Sequence, residues 1–165
     1  MKLLLVRHAI AEDAESSGAD ALRPLTEIGR KKMRKGANRL RSQVDRIDVL
    51  ACSPRLRARE TAGIIARAFG DLPVLERPEL DFTCPPETAA AWLGQYPAEA
   101  VLAVVGHEPH LGLLSGLLLT AIPCPLIAFR KGGVALLEFP GRVAPGEGVL
   151  HWVLTAGQLR GLKQD

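Results

Sequence analysis

Residues 101–109 read Val101-Leu102-Ala103-Val104-Val105-Gly106-His107-Glu108-Pro109. Five apolar residues in a row, three of them β-branched, describe a strand covered on both faces, as in a parallel sheet sandwiched between helices. The run stops at a Gly-His pair, and Pro109 then opens an apolar helical stretch to about residue 119. Nearer the N-terminus, Leu3-Leu4-Leu5-Val6 is a second such run and ends on Arg7-His8. A third, Ile47-Asp48-Val49-Leu50-Ala51-Cys52, ends on Ser53-Pro54-Arg55. Helical patterns follow the strands. Thr26 is a good N-cap for a helix with Met33, Ala37, Leu40 and Val44 on one face, and Ser53-Pro54 reads as an N-cap with proline at the first helical position. In that second helix Ala58, Ala62, Ile65 and Phe69 make the buried stripe. A short strand over 72–76, a short helix over 87–93 and two closing β-runs over 133–139 and 149–155 complete the pattern. The alternation predicts an α/β fold: a three-layer α/β/α sandwich with a mostly parallel central sheet.

The 165 residues, 47% of them hydrophobic, suit one domain spanning 1–165, with no Ser/Gly/Pro-rich linker and no repeat. Apolar runs are too short for a signal peptide or a bilayer span, so a soluble, cytoplasmic protein with no membrane partner is expected. Three cysteines without paired spacing oppose a disulfide framework and suit a reducing compartment. The net charge is only +3, with basic residues gathered between Arg30 and Arg46. Those charges fit a solvated helix face or the docking of an acidic partner. No aromatic residues interleave them, which argues against nucleic acid.

In open parallel sheets, ligands lie beyond the carboxyl ends of the strands. Arg7-His8, Ser53-Pro54-Arg55 and Gly106-His107 all fall at that edge. Arg7 and Arg55 offer planar forks of donors suited to phosphate oxygens, and helix N-termini nearby favour an anion. A histidine in such a field has a lowered pKa and keeps a free ring nitrogen at neutral pH. Phosphoryl transfer needs positioning and charge stabilisation above all, which these residue types supply. A Cys124…Arg130 pair matches the Cys-x5-Arg spacing of thiol phosphatases, but its apolar interior reads as a strand.

Three blocks carry a resemblance across the chain. Leu4-Leu5-Val6-Arg7-His8-Ala9 resembles the Arg-His-Gly/Ala signature of the histidine phosphatase superfamily. Ser53-Pro54-Arg55-Leu56-Arg57-Ala58-Arg59-Glu60-Thr61-Ala62 is similar to its Ser-Pro-x-x-Arg-Ala-x-Gln-Thr-Ala block, and Gly106-His107-Glu108-Pro109 to its Gly-His-x-Pro block. The short length and Asp20-x-x-Arg23-Pro24-Leu25-Thr26-x-x-Gly29 resemble the SixA-type phosphohistidine phosphatases. The resemblance implies a phosphoglycerate mutase-like sandwich without large lid insertions. It also implies phosphorylation of His8, a phosphoryl group gripped by Arg7, Arg55 and His107, and no metal or other cofactor. Arg23 would be either a further phosphate contact or an ion-pair anchor for its loop, and Glu108 a candidate substrate contact. Glu60 stands where the block has Gln, beside Arg59 and near Arg55.

Larger relatives carry a carboxylic general acid; here the candidates are Glu79, Asp81 and Glu108, none of them compelling. An alkoxide leaving group benefits greatly from such an acid, an imidazole far less. The expectation is therefore a metal-independent phosphatase acting on phosphohistidine in a protein partner of the phosphotransfer type. The alternatives are a phosphatase of small phosphomonoesters and a non-catalytic phosphate-binding adaptor.

Overall fold

The computed structural model describes residues 1–13 and 19–162. The centre of the polar loop expected over 9–23, and the last three residues, lie outside that set. Six strands form one sheet: β1 (Lys2–Arg7), β2 (Val49–Cys52), β3 (Val74–Glu76), β4 (Val101–Gly106), β5 (Val134–Glu138) and β6 (Val149–Leu154). Their order is β3-β2-β4-β1-β5-β6. β3, β2, β4 and β1 run parallel, while β5 lies antiparallel to β1 and β6 antiparallel to β5. Five α-helices accompany them: α1 (Glu27–Leu40), α2 (Leu56–Ala68), α3 (Pro86–Leu93), α4 (His110–Thr120) and α5 (Ala156–Gly161).

Alternation along each strand divides the core in two. Leu3 and Leu5 of β1, with Leu102 and Val104 of β4, pack towards α3 and α4 against Leu93, Leu111 and Leu114. Leu4, Val6, Ala103 and Val105 pack the other way, towards α1 and α2 against Met33, Ala37, Ala58 and Ile65. Apolar side chains on both faces are what made these strands legible as unbroken runs, and burying each Leu or Val contributes about 1.5–3 kcal/mol. The result is the three-layer sandwich.

Two local expectations are corrected. Ser53 and Pro54 precede α2 rather than opening it. Arg55 is its N-cap residue with extended backbone (φ −69°, ψ 137°), and the helix begins at Leu56. The segment 124–130 is irregular rather than a strand, because it runs over α4, with Gly116 against the Cys124 backbone. α5 was not anticipated. Its capping box, with Thr155 accepting from the Gln158 amide and the Gln158 side chain accepting from the Thr155 amide, fixes its start, and Leu159 anchors it to α1.

Candidate active site

The parallel register brings the three junctions together. Arg7 pairs with Gly106 across β1 and β4, and Cys52 pairs with Val105. The chain just beyond each strand end continues the ladder, His8 donating to the Gly106 carbonyl and Ser53 to that of Val105, each at 3.0 Å. His8 and His107 thus stand with ring centroids 5.1 Å apart, both buried.

His8 Nδ1 lies 2.7 Å from the Ala9 carbonyl. A carbonyl only accepts, so Nδ1 carries the proton and Nε2 keeps its lone pair. Ala9 is itself held, its amide donating to Thr61 Oγ1 at 3.1 Å, and that hydroxyl donates to the Arg57 carbonyl at 2.7 Å. Burial lowers the His8 pKa from 6.5 to about 4, against the Ala9 hydrogen bond, with the charges of Arg57, Arg7 and Lys131 adding to the fall. Burial likewise lowers His107 to about 3. His107 Nε2 meets Ser53 Oγ at 2.8 Å. With the Ser53 hydroxyl donating, the ring proton sits on Nδ1.

Arg7 Nη1 donates to the Phe129 carbonyl at 2.6 Å. Arg57 is 4% exposed; its Nη1 donates to the Asp20 carbonyl at 2.7 Å and its Nη2 to Asp20 Oδ2 at 3.1 Å. Arg7 Nε, Arg57 Nε and His107 Nδ1 are all buried and have no partner among the described residues. Buried donors are nearly always satisfied in folded proteins. All three belong to groups whose ring contact or charge reaches His8, and three donors left without partners are what a small oxyanion takes.

Several anticipated residues take other roles. Arg55 gives Nε and Nη2 to Asp81, at 2.7 and 3.1 Å, gives Nη1 to Asp20, and lies over the Phe82 ring 3.9 Å from its centroid. All three of its nitrogens are engaged by carboxylates, whereas Arg57 keeps a buried Nε without a partner among the described residues and heads the charges that lower His8, so Arg57 rather than Arg55 is left with a donor for an anion. The signal was present in the sequence: in the Ser-Pro-x-x-Arg-Ala block the arginine aligns with Arg57. Arg23 is the loop anchor, donating from Nε to the Glu12 carbonyl at 2.7 Å and from Nη1 to Asp20 at 2.9 Å. Glu60 reaches neither Arg59 nor Arg55; it accepts from the Leu25 amide and from Arg30, each at 2.6 Å, tying α1 to α2. Asp20 is the hub that sequence reasoning passed over, since a carboxylate in a polar loop carries no local sign of the three arginines that meet on it.

The three candidate acids are all committed. Asp81 accepts from Arg55 and from Thr83, and these bonds outweigh burial and hold its carboxyl below the usual range. Glu79 Oε1 accepts from Arg77 at 2.6 Å, while its Oε2 is buried without a partner among the described residues. Glu108 accepts from the Phe129 amide at 2.7 Å. Asp20 is lowered to about 2, first by its Arg23 hydrogen bond.

The model of the histidine phosphatase superfamily (branch 1) matches residues 3–81. A relative from Picosynechococcus sp., itself uncharacterized, is 35% identical over 118 residues, covering 68% of this chain and 69% of its own. The structure of the protein histidine phosphatase SixA complexed with tungstate superposes with a TM-score of 0.83 at 28% identity, over 96% of this chain and 99% of that one.

The chain belongs to the histidine phosphatase superfamily.

The fold is shared by a structure much less similar in sequence. A phosphoserine phosphatase from Entamoeba histolytica, in complex with phosphoserine, shares it at a TM-score of 0.70 and 17% identity, over 96% of this chain and 98% of its own. Among the described residues of this superfamily member, no helix is long and apolar enough to cross a membrane.

Proposed function

We propose that the protein is a phosphatase that takes the phosphoryl group onto His8 Nε2, and that its substrate is a phosphohistidine borne on a protein. Support for the first part comes from Arg7 Nε, Arg57 Nε and His107 Nδ1, buried and unpartnered on groups whose charge or ring contact reaches His8. In the reaction so read, the Nε2 lone pair forms a bond to phosphorus while the P–N bond of the substrate breaks. The leaving imidazole, already protonated on its other ring nitrogen, keeps the bonding pair and departs as neutral imidazole. Arg7, Arg57 and His107 donate to the phosphoryl oxygens, and the Ala9 carbonyl supports the proton on Nδ1 as the ring becomes cationic. Water then cleaves the phospho-His8 bond and releases inorganic phosphate.

The preference for nitrogen over oxygen as leaving atom rests on the committed carboxylates. Asp20 and Asp81 are held ionised by arginines, Glu79 is paired, and Glu108 is turned to a backbone amide. Ionised Asp20 and Asp81 cannot protonate an alkoxide, and that loss matters most for phosphate esters. The test is a rapid quench with labelled phosphoramidate or a phosphohistidine peptide, followed by mapping of the label. Label on His8, absent from His8→Ala, is the expected result. Label elsewhere, or full turnover by His8→Ala, refutes the mechanism. A higher kcat/KM for sugar phosphates than for a phosphohistidine peptide refutes the substrate class.

A further inference from the structure

A small groove leads away from the nucleophile between α1 and α5. Met33 and Leu159 are buried within it, and Ala9 closes the end next to His8. Gly132, also in its lining, donates its amide to the His8 carbonyl at 3.0 Å and to that of Arg7, and the charge of Lys131 is felt at His8, so the groove neighbours the site. Three cations line it: Lys32 and Lys131, both exposed, and half-buried Arg160. No carboxylate lies among the lining residues, and none of the three is in an ion pair among the described residues. They come from three separate elements: α1, the segment before β5, and α5. A merely solvated helix face would draw its charge from one element and be interspersed with the other sign, as Glu27 is on α1.

We propose that this groove docks the acidic segment of the phosphoprotein substrate that flanks its phosphohistidine. The inference rests on the phosphohistidine reading above and adds what the partner presents beside the phosphorylated residue: aspartate or glutamate to meet Lys32, Lys131 and Arg160. The phosphoryl pocket alone cannot tell one phosphohistidine from another. A second, charge-matched contact supplies that selection and speeds encounter.

Two synthetic phosphohistidine peptides decide it, one flanked by glutamates and one by glutamines, with phosphoramidate as a small substrate that cannot reach the groove. At about 10 mM ionic strength, where the Debye length is about 30 Å, the glutamate peptide should show about tenfold higher kcat/KM, carried by KM. The preference should vanish near 1 M salt, where screening acts within about 3 Å. Lys32→Glu combined with Arg160→Glu should abolish or reverse it while phosphoramidate turnover, which reports folding, stays unchanged. Equal rates on both peptides at low salt, with phosphoramidate hydrolysed, overturn the docking surface alone. A preference that survives the double substitution does the same. If neither the peptides nor phosphoramidate are turned over, the phosphohistidine reading fails and the docking surface falls with it.

Discussion

Glu108 and Arg7 hold one residue from its two sides: the Glu108 carboxylate accepts from the Phe129 amide at 2.7 Å, and Arg7 Nη1 donates to the Phe129 carbonyl at 2.6 Å. Glu108 therefore sets where Arg7 rests without touching the phosphoryl seat. Glu108→Ala should lower kcat/KM by about tenfold, as small misplacements of a positioned group do. Glu108→Gln keeps an acceptor for the amide and should recover most of it. Steady-state kinetics on phosphoramidate separates the two. Equal losses in both variants would point to the negative charge itself.

Arg57 and Arg55 should part sharply. Arg57→Lys loses the planar fork and its buried Nε, and should cost about a hundredfold or more in kcat/KM, as loss of an oxyanion donor does. Arg55→Ala breaks the strap between Asp20 and Asp81 and should cost about tenfold, through looser positioning. Tungstate binding by calorimetry should follow the same ranking.

The pH dependence has a definite sign. His8 and His107 are lowered to about 4 and about 3, so both rings are neutral at neutral pH. The kcat/KM profile should be flat through pH 6.5, the ordinary imidazole value, and fall only towards about pH 4. Stability responds differently. Between 6.5 and about 4 the unfolded chain binds protons that folded His8 does not, so stability is full above 6.5 and declines as pH falls through that window. Urea titrations at stepped pH check the second statement, and pre-steady-state kinetics the first.

Asp20 titrates lower still. Its folded pKa of about 2 lies below the ordinary 3.8, so its contribution is present above 3.8 and is lost as pH falls through about 2. Asp20→Asn should destabilise the protein at neutral pH, lose that effect in strong acid, and weaken tungstate binding because Arg57 is no longer braced by a charge. An acid-unfolding profile unchanged by Asp20→Asn would show that the three arginines do not depend on it.

The sheet was legible because its inner strands are apolar on both faces. Leu3 to Val6 and Leu102 to Val105 have no solvent side to alternate with. The position of His8 and His107 followed from that, since a parallel sheet gathers strand ends at one edge. Strand pattern alone left open the side-chain choice among near-equivalent residues. Arg55 and Arg57 differ by two positions in one block; the block's arginine aligns with Arg57, and the structure supplies the reason, since Arg55 spends all three nitrogens on carboxylates while Arg57 keeps its Nε. β6 left a loosely alternating trace because it is an edge strand, exposed at Val149, Leu150 and Val153. Phe129 contributes through its backbone, for which no side-chain pattern exists.

β1 sits inside the sheet, flanked by parallel β4 and antiparallel β5, with Leu3 to Val6 all fully buried. Amides in such a strand exchange with solvent only when the whole molecule opens, whereas loops open locally at far lower cost. The nucleophile follows directly on that strand, while Asp20 and Arg23 lie in the loop outside the sheet, held by side-chain bonds to Glu12, to Arg57 and to each other. Gradual denaturation should first release the cations braced through that loop and leave His8 in place. Anion affinity should then disappear before the fold does, as two separable transitions.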